Sequence, residues 1–255
     1  MPNLTYRKIE EYITRNVVSP FYKNRLNKLK RLQLGDIVRR KNPYLFKAKN
    51  VTTAGDFVQQ ILDAFLSSQE ETLFGDLLEN LSIYICGLTY GGKKAEQGKY
   101  PSVDLIFSAD SNCYIVGIKS GPNWGNSDQV NRMKRNFKKA KILLKKEGEK
   151  KKVISVDGCM YGRDRRPHKK DKNDSELNYY KYCGQEFWQL ISGKKELYKD
   201  IIKPLDKQVK KRDEQFKKLY AQKVNQLTES FLKLFCDKGI INWEKILEFV
   251  SKKSN

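Results

Sequence analysis

Val103-Asp104-Leu105-Ile106-Phe107 and Tyr114-Ile115-Val116-Gly117-Ile118-Lys119 are two short apolar runs, each carrying one charged residue of interest. Both are rich in β-branched and aromatic residues, which suit a pleated, half-buried surface. Ser108 to Asn112 between them is turn-rich, so the pair is expected to fold as a hairpin. A third strand is expected at Val153-Ile154-Ser155-Val156, closed by Asp157-Gly158. Between the second and third strands, Val130, Met133, Phe137, Ala140 and Leu144 recur at helical spacing. The order β–β–α–β with helices before it implies a mixed sheet with helices against it.

Working outward, Phe57, Ile61, Leu62, Phe65 and Leu66 predict an amphipathic helix over Thr53 to Ser67. Leu73, Leu77, Leu78, Leu81 and Ile85 predict a second, from about Gln69 to Cys86. A glycine-rich connection, Gly87 to Tyr100, then leads into the first strand. Residues 5–40 read as basic helices, and Asn42-Pro43-Tyr44 as a break, because a residue before proline avoids the helical region. From about Lys195 to Val250 the pattern is helical again, with Phe216, Leu219, Tyr220, Val224, Leu227, Phe231 and Leu234 on one stripe. That stripe serves equally to make a dimer interface or to close the core of a monomer.

The 255-residue chain carries 51 Lys plus Arg against 30 Asp plus Glu, a net charge of +21. Such an excess points first to a nucleic acid and second to an acidic membrane surface. No window approaches the ~18 continuous apolar residues of a membrane span. Met1-Pro2-Asn3-Leu4-Thr5-Tyr6 has no apolar run of the signal-peptide kind, so a cytoplasmic protein is expected. The five cysteines, Cys86, Cys113, Cys159, Cys183 and Cys236, are widely spaced and form no Cys-x-x-Cys pair. With His168 the only histidine, neither a structural zinc site nor a histidine-dependent triad is expected.

Asp104 lies within an otherwise apolar run, where a carboxylate is costly to bury unless it is paired or binds a cation. Lys119 ends the neighbouring strand, and the hairpin brings the two near each other. They suit metal-assisted phosphodiester hydrolysis: the carboxylate on Mg²⁺, the ammonium on the water or the transition state. They suit equally a half-exposed cross-strand ion pair.

Tyr100-Pro101-Ser102-Val103-Asp104 with Gly117-Ile118-Lys119-Ser120-Gly121 resembles the PD-(D/E)xK nucleases. The resemblance extends to type II restriction endonucleases that cut short GC-rich palindromes of the GGNCC kind. It takes in Asn42-Pro43-Tyr44, the segment Gln69 to Glu79, Gly121-Pro122-Asn123-Trp124-Gly125-Asn126-Ser127-Asp128-Gln129 and Gly184-Gln185-Glu186-Phe187-Trp188. It covers residues 42–190. It implies an α/β fold, with a restriction-endonuclease-like mixed central sheet flanked by helices and N- and C-terminal helical additions. The implied organisation is an N-terminal helical region at 1–50, a nuclease core at 51–194, and a C-terminal helical region at 195–255 as a possible dimer interface. It also implies Mg²⁺ as cofactor, double-stranded DNA as substrate, a homodimer, and a cognate DNA methyltransferase acting on the same site.

Gly117 departs from the family pattern, which has an acid two residues before the lysine. Glu71 on the preceding helix is the expected compensating acid, with Glu70 and Glu79 as alternatives, and the Ile118 carbonyl an added metal ligand. Introducing Gly117→Glu is expected to raise metal affinity if a ligand is missing, and to disturb the site if Glu71 already fills the space. Gln129 is expected to orient the lysine or a phosphate, or to be an ordinary N-terminal polar residue of its helix. Asn123, Trp124, Asn126 and Ser127 precede that helix, whose N-terminus can receive a phosphate. Residues 132–152, beginning with Arg132, hold eleven Lys or Arg against two Glu. Arg163, Arg165, Arg166 and Lys169 follow the third strand, and the arginines are candidates to read guanine O6 and N7. A non-catalytic DNA-binding protein with a degenerate site, motivated by Gly117, is the second reading. A basic RNA-binding protein is the third, and leaves Asp104 unexplained.

Overall fold

The computed structural model describes residues 4–206 and 209–253. Met1 to Asn3, part of the leader reading above, lie outside them. The chain divides into two compact units. One holds residues 1–18 and 75–207, the other 19–74 and 208–255.

The first unit is built on a six-stranded mixed sheet. Its strands are β1 (Lys93–Lys94), β2 (Leu105–Ala109), β3 (Asn112–Lys119), β4 (Lys152–Cys159), β5 (His168–Lys169) and β6 (Tyr179–Cys183), in spatial order β1-β2-β3-β4-β6-β5. The β2–β3 hairpin is antiparallel, with Leu105 opposite Val116. Its turn is tighter than expected because Asp110 takes up a left-handed φ of 50°. β3, β4 and β6 run parallel, placing Gly117 beside Asp157 and Asp157 beside Lys181. β4 runs three residues past Val156, so Asp157 and Gly158 belong to the strand rather than closing it.

The helices are α1 (Tyr6–Tyr12), followed by a π-helical turn at Ile13–Val18, α2 (Ser19–Arg31), α3 (Leu34–Val38), α4 (Pro43–Ala48), α5 (Ala54–Tyr90), α6 (Ser127–Lys146), α7 (Gln185–Ser192), α8 (Leu197–Asp200), α9 (Val209–Phe235) and α10 (Trp243–Ser251). The two helices expected between 53 and 86 are one, α5, of 37 residues. At 1.5 Å per residue it is about 55 Å long. No proline interrupts it, and its polar residues turn back on it: Ser68, Thr72, Ser82 and Thr89 donate to the carbonyls four residues before them. The break at Asn42-Pro43 does restart a helix: Asn42 caps α4 by accepting from the Tyr44 N–H, with Pro43 in the first turn.

α6 buries the expected stripe. Met133, Phe137 and Ala140 pack with Tyr100, Val103, Cys113, Ile115 and Val153, and Val130, Trp124 and Leu144 cover them. The second unit has its own core, in which Phe57, Ile61, Leu62, Phe216, Leu227, Phe231 and Ile246 are buried together. The C-terminal stripe is therefore consumed here: Leu219, Tyr220 and Val224 pack on that same cluster, while Leu234 is exposed. Within it Lys223 is buried, and its ammonium donates to the carbonyls of Lys30 and Leu32 at the C-terminal end of α2.

Candidate active site

Asp104 sits where β2 begins, at the mouth of the hairpin. Its N–H donates to the Val116 carbonyl, and Leu105 also pairs with Val116, so two residues of this strand face one of β3 and Asp104 sits just outside the regular register, next to Gly117 in the hairpin. Oδ2 accepts from the Ile118 N–H at 2.6 Å and Oδ1 from Gln97 Nε2 at 2.9 Å. Gln97 also donates to the Val103 carbonyl, which fixes its amide. The carboxylate is thus held rigidly, with its side chain 14% exposed.

Lys119 closes β3. Its Nζ lies 3.8 Å from Asp104 Oδ2 and donates to the Ile118 carbonyl at 3.0 Å. The ammonium therefore stands between two oxygens that attract a cation. The Trp124 ring lies beneath it, centroid 5.2 Å away.

Of the helix acids, Glu79 shares this field. Burial, then the charge of Asp104, pushes its carboxyl above the usual range, while Lys94 and Lys119 pull it back. Lys94 Nζ is 3.4 Å from Glu79 Oε1. One turn earlier, Gly75 lets α5 pass close to the strand end: a Cβ there would meet Ser120 Oγ at 2.6 Å. Glu70 pairs with Arg25 in the second unit. Glu71 is exposed there, at a cleft lined also by Asp63, Ser67, Phe216 and Tyr220.

Reading the sequence did not find Asp157. It is 1% exposed, in register with Gly117 on the next strand. Both its oxygens lie 3.1 Å from Trp124 Nε1, and Lys181 Nζ is 4.0 Å away. Burial raises its carboxyl pKa; the Trp124 hydrogen bond and the charges of Lys181 and Lys119 oppose the rise. The only signal in the sequence was an acid closing an apolar run, which reads as a turn.

Gly117 is explained by close packing. A Cβ there would lie 2.7 Å from the Ser102 carbonyl oxygen and 3.3 Å from Phe137 Cζ. Ser102 is held by Asn136, which donates to its hydroxyl, and has a left-handed φ of 65°.

The oxygens of Asp104, Glu79 and the Ile118 carbonyl are hard donors of the kind Mg²⁺ takes. Among the described residues no three His, Cys, Asp or Glu side chains cluster as a ready ligand set. A small set of protein oxygens fits a cation that keeps waters and takes phosphate oxygens.

Near α6 the polar residues mainly cap the helix. Asn126 accepts from the Gln129 N–H, and Gln129 Oε1 accepts from the Asn126 N–H. Asn123, Asn126, Ser127, Gln129 and Arg132 are exposed. Trp124 is half-buried, with its N–H turned inward to Asp157. Part of the basic run along α6 is neutralised by the acidic loop that follows β5: Lys134 pairs with Asp171, Lys138 with Asp174 and Lys141 with Glu176. Arg163, Arg165 and Arg166 are exposed, whereas Lys169 is tied to Asp164 at 2.7 Å. His168 stacks on Tyr180, and Tyr180 on Tyr182. The five cysteines are free thiols. Among the described residues no helix is long and apolar enough to cross a membrane.

No curated protein matches the chain. The family model of the type II restriction endonuclease EcoO109I matches residues 7–213, a span that takes in the whole six-stranded sheet and the Asp104–Lys119 pair. A mixed sheet flanked by helices agrees with that match, and the chain belongs to the EcoO109I family of type II restriction endonucleases, site-specific deoxyribonucleases.

Proposed function

We propose that this nuclease is of the PD-(D/E)xK type and hydrolyses both strands of duplex DNA at a short GC-rich palindrome of the GGNCC kind, with Mg²⁺ as cofactor. The observation that carries the reading is the 3.8 Å approach of Lys119 Nζ to Asp104 Oδ2, beside the Ile118 carbonyl. Asp104, the Ile118 carbonyl and an acid from α5 would hold the cation. Glu79 takes that place in preference to Glu71, because its carboxyl feels the charges of both Asp104 and Lys119. When bound, Mg²⁺ shields charge on the scissile phosphate and acidifies water.

Lys119 orients the attacking water and stabilises charge that develops on the phosphorus oxygens. Gln97 keeps the Asp104 carboxylate aimed. Gln129 can turn only its amide nitrogen to a phosphate, since its oxygen closes the cap of α6. Asn123, Ser127 and Arg132 would receive the DNA backbone there. Arg163, Arg165 and Arg166 are free to read guanines in the major groove, and Lys169 adds positive charge.

A palindrome calls for two-fold symmetry, so the active form is a homodimer. Exposed apolar residues of the C-terminal region 195–255, Leu232, Leu234 and Ile240, would join the protomers. The nuclease chemistry rests in 51–194, with 1–50 as a helical support. The working location is the cytoplasm, where a DNA methyltransferase modifying the same sequence protects the host.

The test is digestion of a plasmid of known sequence with Mg²⁺. Discrete fragments whose ends share one GC-rich palindrome, lost in Asp104→Ala and Lys119→Ala, are expected. Intact plasmid under every divalent metal tried, with specific binding retained, would reject catalysis.

A further inference from the structure

The register places Gly117, Asp157 and Lys181 side by side across the three parallel strands β3, β4 and β6, at the level where Asp104 leads into the hairpin. Residues paired directly across a sheet project to the same face. The row therefore has a gap at its first place and a carboxylate at its second. The gap cannot be filled, because the Ser102 carbonyl oxygen occupies the path of any side chain at 117.

Asp157 is almost wholly enclosed, and a buried carboxylate is costly unless its partners hold it in place. Its partners all lead to the site. Trp124 Nε1 is 3.1 Å from each oxygen. Lys181, the counter-charge at 4.0 Å, also donates at 2.7 Å to the Pro122 carbonyl, two residues before Trp124. The loop bearing Trp124 is thus tied down at two points by one acid–lysine pair. The face of the Trp124 ring in turn carries the Lys119 ammonium. Without an acid at 117, Lys119 lacks the carboxylate that would stand two residues before it on its own strand.

We infer that Asp157 is a positioning residue that makes up for the missing acid at Gly117, fixing the Trp124 indole and through its ring the Lys119 ammonium. The catalytic arm of this inference rests on the nuclease reading above; the spectroscopic arm does not.

The test uses Asp157→Leu, Asp157→Asn and Trp124→Phe in the full chain, with single-turnover DNA cleavage, DNA binding in Ca²⁺, and the indole N–H signals of the ¹⁵N-labelled protein. The sequence has three tryptophans, so the Trp124 signal is identified by its loss in Trp124→Phe. Asp157→Leu and Trp124→Phe should each slow cleavage about 10-fold or more, the range seen when a partner that orients a site residue is lost. Their double variant should be no slower than either alone, since both cut the same tie. Binding in Ca²⁺ should stay within about twofold. Asp157→Asn, which keeps an acceptor for the indole, should restore most of the rate. Lys119→Ala should move the Trp124 indole signal in the wild-type background and leave it in place in Asp157→Leu.

Additive losses, a wild-type rate in Asp157→Leu, or a Trp124 signal indifferent to Lys119→Ala would overturn the inference. Should Asp157→Leu fail to fold, Trp124→Phe and Asp157→Asn decide it: equal rates in wild type and Trp124→Phe overturn it, and a loss in Trp124→Phe with near-wild-type Asp157→Asn supports it. A wild-type protein that cuts nothing would sink the nuclease reading, while the indole signals still decide whether Asp157 couples Trp124 to Lys119.

Discussion

Gly117 invites the experiment of restoring an acid, and the geometry foretells failure. In Gly117→Ala the new Cβ would lie 2.7 Å from the Ser102 carbonyl oxygen, below the 3.0 Å that real Cβ contacts respect, and 3.3 Å from Phe137 Cζ. Neither neighbour yields cheaply. Ser102 is backbone in a left-handed turn anchored by Asn136, and Phe137 is 1% exposed in the sheet-facing core. Overpacking of this kind costs about 1–3 kcal/mol. For a chain of this size that is a fall of about 2–12 °C in Tm. Gly117→Glu adds a charge to the same clash and should fall further. Relief requires the Ser102 carbonyl to move, and Asp104 follows two residues later, so metal-dependent cleavage should fall with stability. Thermal unfolding followed by circular dichroism, with Mg²⁺ titration by calorimetry, reads both. A Gly117→Glu protein that melts with the wild type and binds Mg²⁺ more tightly would refute the reasoning and show that position 117 is an open ligand site.

Lys119→Ala should abolish cleavage and leave specific DNA binding in Ca²⁺ nearly intact, because its ammonium acts on the transition state; gel-shift and single-turnover assays separate the two. Glu79→Gln should weaken Mg²⁺ binding by calorimetry, and Glu71→Gln should leave it unchanged; the opposite result would return the ligand role to Glu71. Alanine at Arg163, Arg165 or Arg166 should relax base preference in a fragment map if that arginine reads guanine. If it touches only phosphate, each loss should lower the salt slope of log K by about 0.9. Burial raises the Asp157 carboxyl above its unfolded value, so the folded chain binds that proton more tightly than the unfolded one. This contribution to stability is present below the ordinary aspartate range and lost as pH rises through the raised value. Asp157→Asn removes the dependence, and should melt at or above the wild-type temperature at pH 7 while losing the low-pH gain; a variant less stable at both pH values would show that the charged form is the stabilising one.

What the sequence made legible was local. The hairpin carrying Asp104 and Lys119 announces itself through apolar runs either side of a short turn. Its pairing then follows from the turn and the alternation of faces. α6 was equally visible, because Met133, Phe137 and Ala140 repeat at helical spacing. The sequence reads α5 as two helices, because Ser67, Ser68 and Gln69 look like a break, whereas the Ser68 hydroxyl donates back within the helix to the Ala64 carbonyl. Asp157 was invisible for a stronger reason. β3 and β4 are parallel and joined through α6, so the register that sets Gly117 beside Asp157 depends on how a whole helix packs back onto the sheet. A glycine in place of an acid thus looked like a defect when read along one strand. Read across the sheet, the same glycine is where the Ser102 carbonyl passes, and a carboxyl group stands one strand further on, tied to Trp124, whose ring lies under the Lys119 ammonium. What surrounds Lys119 is specified by the sheet rather than by any one strand, and a motif written along a single strand does not report a side chain that the neighbouring strand contributes.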